Sequence, residues 1–79
     1  MSRTQSFEEK ELAALARRFR KQSGDSRAEA ARKMKVSQTS IFQAEEKPGQ
    51  GLLKLRTRLI EAYSPFKVVG PAFFLQKKF

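Results

Sequence analysis

Apolar residues recur at helical spacing through most of the chain, and the pattern changes only near its C-terminal end. The first apolar stripe has the i, i+3, i+4, i+7 spacing of an amphipathic helix. Ser6 and Glu9 form a capping-box pair, so we expect this helix to begin at Ser6, and the turn sequence at 23–25 ends it. The residues of this stripe are Leu12, Leu15, Ala16 and Phe19.

Two short helices are predicted next, separated by a tight turn. A second capping box, formed by Ser26 and Glu29, opens a helix that continues to Met34. Ser37 is a suitable N-cap for a third helix over about 38–46. Small residues in the second helix permit a close crossing with the third, as in a helix-turn-helix.

The last part of the chain predicts one further helix and a pair of strands. Leucines repeat at helical spacing over about 52–63, and Ser64 and Pro65 end that helix. In the tail, residues 64–79, β-branched and aromatic residues surround a Gly70–Pro71 turn signal, which favours a short β-hairpin or an extended tail. We therefore expect a mainly α fold in a single domain, 1–79, with a helical core at about 6–63.

The stretch from Ser26 to Glu45 resembles the helix-turn-helix of the lambda repressor and Cro (XRE-like) family, whose pattern is roughly S-x-x-E-L-A-x-x-x-G-V-S-x-x-T/S-I-x-x-x-E. The fourth helix is similar to the family's L-x-x-L-A-x-x-L, so the likeness spans about residues 8–62. It implies a four-helix lambda-repressor-like domain. The matching positions are Ser26, Glu29, Ala31, Val36, Ser37, Ser40, Ile41 and Glu45.

Three residues depart from the family pattern. Lys35 stands where the family usually has a left-handed Gly, which costs free energy if the turn keeps its shape. Ala30 replaces a usual Leu and Arg56 a usual Ala, and we expect both to weaken the core. The Phe-rich tail stands in place of the family's fifth helix, and we expect it to cover this weakened part of the core. Arg20 and Glu45 match a structural salt bridge of the family, and we assign them to the scaffold.

The resemblance implies that helix 38–46 is the recognition helix of a DNA-binding protein, with its N-terminal residues in the major groove. The expected base-contacting residues are Gln38, Thr39 and Gln43, since Gln can bond adenine and a Thr methyl can touch thymine; Phe42 also faces outward. The expected phosphate-contacting residues are Ser26, Arg27, Lys35, Ser40 and Lys47.

Structural explanations stand beside these functional ones. Ser26, Glu29 and Ser37 are explained fully as helix-capping residues. The three polar side chains of helix 38–46 are alternatively a solvated face, and Phe42 alternatively packs on a neighbouring element. Arg17 and Arg18 are expected to be solvated.

Composition narrows the classes of function. Lys and Arg number 17 against 8 Asp and Glu, a formal charge of +9, which favours a polyanionic partner. Cys and His are absent, which removes zinc ligand sets, thiol nucleophiles and the commonest proton-transfer side chain. We expect no enzyme activity, no cofactor, no membrane segment, and a cytoplasmic, nucleoid-associated location.

These observations predict a sequence-specific transcriptional regulator, most simply a repressor that binds a palindromic operator in double-stranded DNA as a homodimer through residues 64–79. In the alternative for the tail, it covers only its own monomer. Two other functions stay open. One is an RNA-binding or ribosome-associated protein that uses Phe73, Phe74, Lys77 and Lys78; the other is an interaction module, such as an antitoxin whose tail binds a partner enzyme.

Overall fold

The computed structural model describes residues 8–47, 51–69 and 73–78. Helix α1 spans Glu9–Ser23 and ends at Gly24, whose φ of 89° gives the left-handed C-cap that glycine adopts at least cost. The predicted start at Ser6 is wrong, and Ser6 itself lies outside the described residues. Glu8 is the N-cap instead, and its amide donates to Glu11 Oε1 at 2.7 Å. An acidic pair two residues further along the chain thus serves the same purpose as the predicted box.

Helix α2 spans Arg27–Met34, and its predicted capping box is confirmed. Ser26 Oγ accepts from the amide of Glu29 at 3.1 Å, and the amide of Ser26 donates to Glu29 Oε1 at 2.7 Å. The helix ends at Lys35, which adopts the left-handed conformation at φ 60°, ψ 45°. The expected turn shape is therefore kept by a residue that carries a Cβ.

Helix α3 spans Gln38–Glu46 and helix α4 spans Leu53–Tyr63. Ser37 caps α3 as predicted, since its hydroxyl accepts from the amide of Ser40 at 3.0 Å. Contacts join α1 to α3 and α4, and α2 to α3 and α4, so the helices enclose a common interior.

Strands β1, Phe66–Val69, and β2, Phe74–Lys77, form an antiparallel hairpin, which confirms the two predicted strands. The predicted Gly70–Pro71 turn lies outside the described residues. Val68 pairs with Leu75, and both pack against the helical core. Phe66 adds an aromatic contact with Phe19 of α1, with ring centroids 6.3 Å apart. The tail therefore covers its own helices.

The core is a cluster of small and aliphatic side chains contributed by all four helices. Arg56, which we expect to weaken this core, is completely buried, and each of its three guanidinium nitrogens donates a hydrogen bond. Ala30 is also completely buried within the cluster. No helix in the described ranges is long and apolar enough to cross a bilayer. The cluster consists of Leu12, Ala16, Ala30, Ala31, Met34, Ile41, Ala44, Leu55, Leu59 and Ile60.

Candidate nucleic-acid interface

The predicted base-contacting residues lie on one exposed face of α3, which we call the α3 face: Gln38, Thr39, Phe42 and Gln43. Gln38 and Thr39 are exposed, Phe42 is 41% exposed and Gln43 is half-buried. The opposite side of the helix carries Ile41 and Ala44, both completely buried. Since positions three and four apart share a helix face, burying that side sets which side chains remain outside.

The N-terminal end of α3 is stabilised by side chains. Ser40 Oγ lies 3.0 Å from Ser37 Oγ, and the Ser40 amide donates to the same hydroxyl. Ser40, a predicted phosphate contact, is thus only half-exposed and already has a hydroxyl partner. Through these contacts Ser40 stabilises the end of α3 that carries Gln38 and Thr39.

A buried ion pair fixes the other end of α3 to α1. Arg20 Nε lies 2.6 Å from Glu45 Oε2, and Arg20 Nη2 lies 3.0 Å from Glu45 Oε1. The hydrogen bonds that Arg20 donates to the Glu45 carboxylate raise the pKa of the Arg20 guanidinium above its ordinary value. Arg20 also donates to the carbonyl of Asp25 at 2.9 Å. The predicted scaffold bridge is confirmed.

Arg27, a predicted phosphate contact, lies within this ion-pair network. Its Nε donates to Glu45 Oε1 at 2.9 Å, its Nη2 donates to Glu46 Oε2 at 2.7 Å, and its guanidinium lies 5.0 Å from the centroid of Phe42. Arg17 Nε also lies 3.0 Å from Glu46 Oε2. Arg27 thus fixes the exposed aromatic ring while its charge is shared with two carboxylates.

Glu46 is a residue that sequence reasoning missed. It lies one turn beyond Phe42 and is exposed, so it brings an acidic group to the C-terminal end of the α3 face. Its pairing with two arginines limits repulsion of a polyanion. Helical spacing from Phe42 was the signal that could have placed it there.

The remaining predicted phosphate contacts are exposed residues that lie outside α3. Lys35 and Lys47 are exposed at its two ends, and Ser26 is exposed at the start of α2. Ser26 is the N-cap of α2 and its hydroxyl already accepts from Glu29. The capping role that the sequence offered as an alternative is therefore present.

Helix α4 adds two cations that the sequence did not single out. A cleft of about 510 Å³ opens between the start of α3 and the start of α4, and Ser40, Lys54 and Arg58 line it. Arg58 Nη2 donates to the carbonyl of Met34 at 2.7 Å, which places it beside the α2–α3 turn. Only the packing of α4 brings these cations close to α3, so local sequence carries no signal for them.

A polar cluster links the α1–α2 turn to the end of α4. Asp25 Oδ2 lies 2.7 Å from both Lys33 Nζ and the Tyr63 hydroxyl. The hydrogen bond from Lys33, followed by that from Tyr63, lowers the pKa of Asp25. Burial, followed by the hydrogen bond to Asp25, raises the pKa of Tyr63. This cluster holds the turn that precedes Ser26.

The tail residues proposed for RNA stacking are engaged within the protein. Phe73 packs against the core, and Phe74 is half-buried. Lys78 Nζ donates to the carbonyls of Glu61 and Ser64 at the end of α4. Lys77 is also exposed, and unlike Lys78 its side chain makes no hydrogen bond or ion pair with the described residues.

The α3 face offers hydrogen-bonding amides, a hydroxyl and an aromatic ring, with cations around it. Within the described ranges, no group of three Asp or Glu side chains is arranged to hold a metal ion. The arrangement is suited to binding an ordered polyanion by surface contact. Comparisons with family models, with curated proteins and with solved structures found no match for this chain.

Proposed function

We propose that this protein is a sequence-specific DNA-binding regulator of transcription, of the lambda repressor and Cro type, and most simply a repressor. Helices α2 and α3, with the turn at 35–37 between them, form its helix-turn-helix. Helix α3 enters the major groove and α2 crosses the DNA backbone. The single observation that carries the proposal is the α3 face. Its side chains are uncharged and include hydrogen-bonding groups at the N-terminal end of α3, on a chain of charge +9.

Each residue of the α3 face has a role in this proposal. Gln38 and Gln43 bond adenine edges, Thr39 offers its methyl and hydroxyl, and Phe42 contacts a thymine methyl. The cations Lys35 and Lys47 hold phosphates and set the register without reading sequence. Ser26, Arg27 and Ser40 contribute phosphate contacts from positions that the structure also uses for capping and ion pairing.

The residue Arg27 illustrates how both uses are compatible. Two of its guanidinium nitrogens bond Glu45 and Glu46, which orients the plane of the group over Phe42. A phosphate that approaches the third nitrogen meets a donor whose direction is already fixed, so little side-chain entropy is lost on binding.

A homodimer completes the proposal, with the outer edge of β2 as the contact. The amide of Lys78 donates to the carbonyl of Pro65, so the alternation of an antiparallel ladder turns the backbone groups of Leu75 and Lys77 away from β1. The matching edge of β1 is covered, since the amides of Phe66 and Val68 donate to Ser64 and Glu61. Among the described residues nothing pairs with the β2 edge, and a second copy supplies a strand.

Selection from random double-stranded DNA tests the proposal. The expected result is an enriched motif with two-fold symmetry and half-sites about 34 Å, one DNA turn, apart. Gln38→Ala and Gln43→Ala should each lower affinity for the selected site about tenfold or more, while binding to unrelated DNA stays constant. Gln22→Ala, at an exposed position on α1, is the matched control.

Two outcomes would contradict the proposal. Strong binding with no enriched motif would make the protein a non-specific polyanion binder. Preferential binding of single-stranded RNA that is lost with Phe74→Ala and kept with Gln43→Ala would favour the RNA-binding alternative.

A further inference from the structure

Arg56 is the largest side chain that the core buries completely. It lies on α4, and all three of its nitrogens have partners on other parts of the chain. Nε donates to the carbonyl of Ala44 at 2.8 Å, Nη2 to the carbonyl of Lys47 at 2.8 Å, and Nη1 to Glu9 Oε1 at 2.7 Å. One buried guanidinium therefore joins α4, the end of α3 and the first turn of α1.

The end of α3 needs this donor. The last four carbonyls of a helix have no partner within it and carry the negative end of the helix dipole. The last turn of α3 has no basic residue, and Lys47 ends it at φ −127°, ψ 74°, outside the left-handed conformation of a glycine cap. Arg56 supplies from another helix both the donors and the positive charge, and Glu9 balances that charge.

The position of this contact links it to the α3 face. The amide of Lys47 donates to the carbonyl of Gln43 at 2.8 Å, a bond within α3 itself. Arg56 of α4 holds the same turn through its bond to the carbonyl of Lys47. Gln43 begins this turn, and Phe42 immediately precedes it. A loosened turn would move both side chains relative to a bound base.

We propose that Arg56 is a positioning residue for sequence reading: it holds the C-terminal turn of α3 so that Gln43 and Phe42 meet the bases at a fixed angle. This inference rests on the proposed function. Arg56 does not touch DNA, because it is completely buried, and it acts through Ala44 and Lys47.

Amide hydrogen exchange tests the structural part without DNA. The amides of Lys47 and Ile41 both donate within or into α3, to Gln43 and Ser37 respectively, and their exchange rates give an internal ratio. In Arg56→Met, the Lys47 amide should exchange at least tenfold faster relative to Ile41 than in the wild type. Leu59→Ala, which truncates another completely buried side chain of α4, should speed both amides together and leave the ratio unchanged. If Arg56→Met and Leu59→Ala show the same ratio of Lys47 to Ile41 exchange rates, the proposal is overturned.

Two further variants keep this test decisive. Arg56→Lys retains the charge but lacks the planar fork that reaches two carbonyls, so it should raise the ratio even if Arg56→Met does not fold. Glu9→Gln leaves both bonds from Arg56 to α3 in place and should keep the wild-type ratio. A raised ratio in Glu9→Gln would show that the α1 contact, rather than the α3 contact, holds the turn.

DNA binding tests the reading part. Arg56→Lys should lower the ratio of specific to non-specific affinity about tenfold, with discrimination lost at the base pairs that Gln43→Ala also affects. Leu59→Ala, compared at a temperature where both variants are folded, should keep the wild-type ratio. A raised exchange ratio with unchanged sequence discrimination would overturn the reading role. If the wild type shows no sequence preference, the proposed function fails, and the exchange ratio still decides whether Arg56 holds α3.

Discussion

At the residue scale, two left-handed positions end neighbouring helices, and only one of them is a glycine. Gly24 has φ 89° and Lys35 has φ 60°. A residue with a Cβ pays for this conformation, so Lys35→Gly should raise the free energy of unfolding by about 0.5–1 kcal/mol. Urea denaturation of the purified protein measures this change.

The matched control is Gly24→Ala. A Cβ at Gly24 meets no atom within 4 Å, so its cost is the backbone conformation alone, about 1 kcal/mol of lost stability. If Lys35→Gly is destabilising, the left-handed strain at Lys35 is not real.

Lys35→Gly should lower the affinity for DNA even though it raises the stability of the fold, because Lys35 is a proposed phosphate contact.

The pH dependence of stability should report on Asp25. Its folded-state pKa is lowered from the ordinary value of 3.8 by Lys33 and Tyr63, so the unfolded chain takes up the proton first as the pH falls. The stabilisation is therefore complete above the unfolded pKa and is lost as the pH falls through the folded pKa. Wild type should exceed Asp25→Asn in unfolding free energy at pH 7, and the difference should shrink between about pH 5 and pH 2.

Tyr63→Phe separates the two causes of that shift. It removes one hydrogen bond to Asp25 and leaves Lys33 in place, so the loss of stability on acidification should be reduced but still present. A difference between wild type and Asp25→Asn that is constant with pH would contradict the assignment.

Individual residues were predictable where the signal lies within one turn of helix. Ser26 and Ser37 cap their helices because the partner amide is three residues away. The start of α1 was misplaced because Glu8 and Glu11 offer the same pairing as the expected box. The role of Arg56 was not predictable, because its partners are 9, 12 and 47 residues away along the chain.

At the element scale, the acidic pair at the end of α3 joins three helices, and its two members differ in burial. Glu45 has a completely buried side chain between Arg20 and Arg27, whereas that of Glu46 is 35% exposed between Arg17 and Arg27. Removing one partner of a buried pair leaves an uncompensated charge, so Glu45→Gln should cost about 3 kcal/mol of stability.

Glu46→Gln is the matched comparison, made at the next residue with the same change of charge. Solvent screening should keep its cost below about 1 kcal/mol. Thermal and urea unfolding of both variants measure the difference. Equal losses would mean that burial of Glu45 does not strengthen its contacts with the arginines.

The elements themselves followed from periodicity, but their arrangement did not. Four helices and two strands appear where apolar spacing and the switch to β-branched residues predicted them. The cleft between α3 and α4, with Lys54 and Arg58 beside Ser40, comes from how α4 packs. No pattern within α4 indicates which of its cations will lie near α3.

At the scale of the whole molecule, the net charge of +9 overstates the charge that is free to meet a polyanion. Several arginines are neutralised by carboxylates within the fold, including the buried Arg20 and Arg56. The cations near the α3 face that lack a carboxylate partner among the described residues are Lys35, Lys47, Lys54 and Arg58. The salt dependence of DNA binding should therefore reflect this small set, at about 0.9 in log K per phosphate neutralised.

Assembly is the last property at this scale, and the β2 edge makes it testable with one residue. The amide of Lys77 points away from β1, so Lys77→Pro removes a donor of the open edge without removing a bond of the hairpin. The wild type should sediment as a dimer, and Lys77→Pro should weaken dimerisation at least tenfold. Lys77→Ala removes the same charge, keeps the amide and should remain dimeric.

The same variants connect assembly to DNA recognition. The proposed two-fold dimer would hold two α3 faces one DNA turn apart, so a palindrome should be bound more tightly than a single half-site by effective concentration alone. That advantage should disappear in Lys77→Pro and persist in Lys77→Ala, while affinity for one half-site stays equal in both. If all three proteins sediment as monomers and still prefer the palindrome, the β2 edge is not the contact, and the two copies associate only on the DNA.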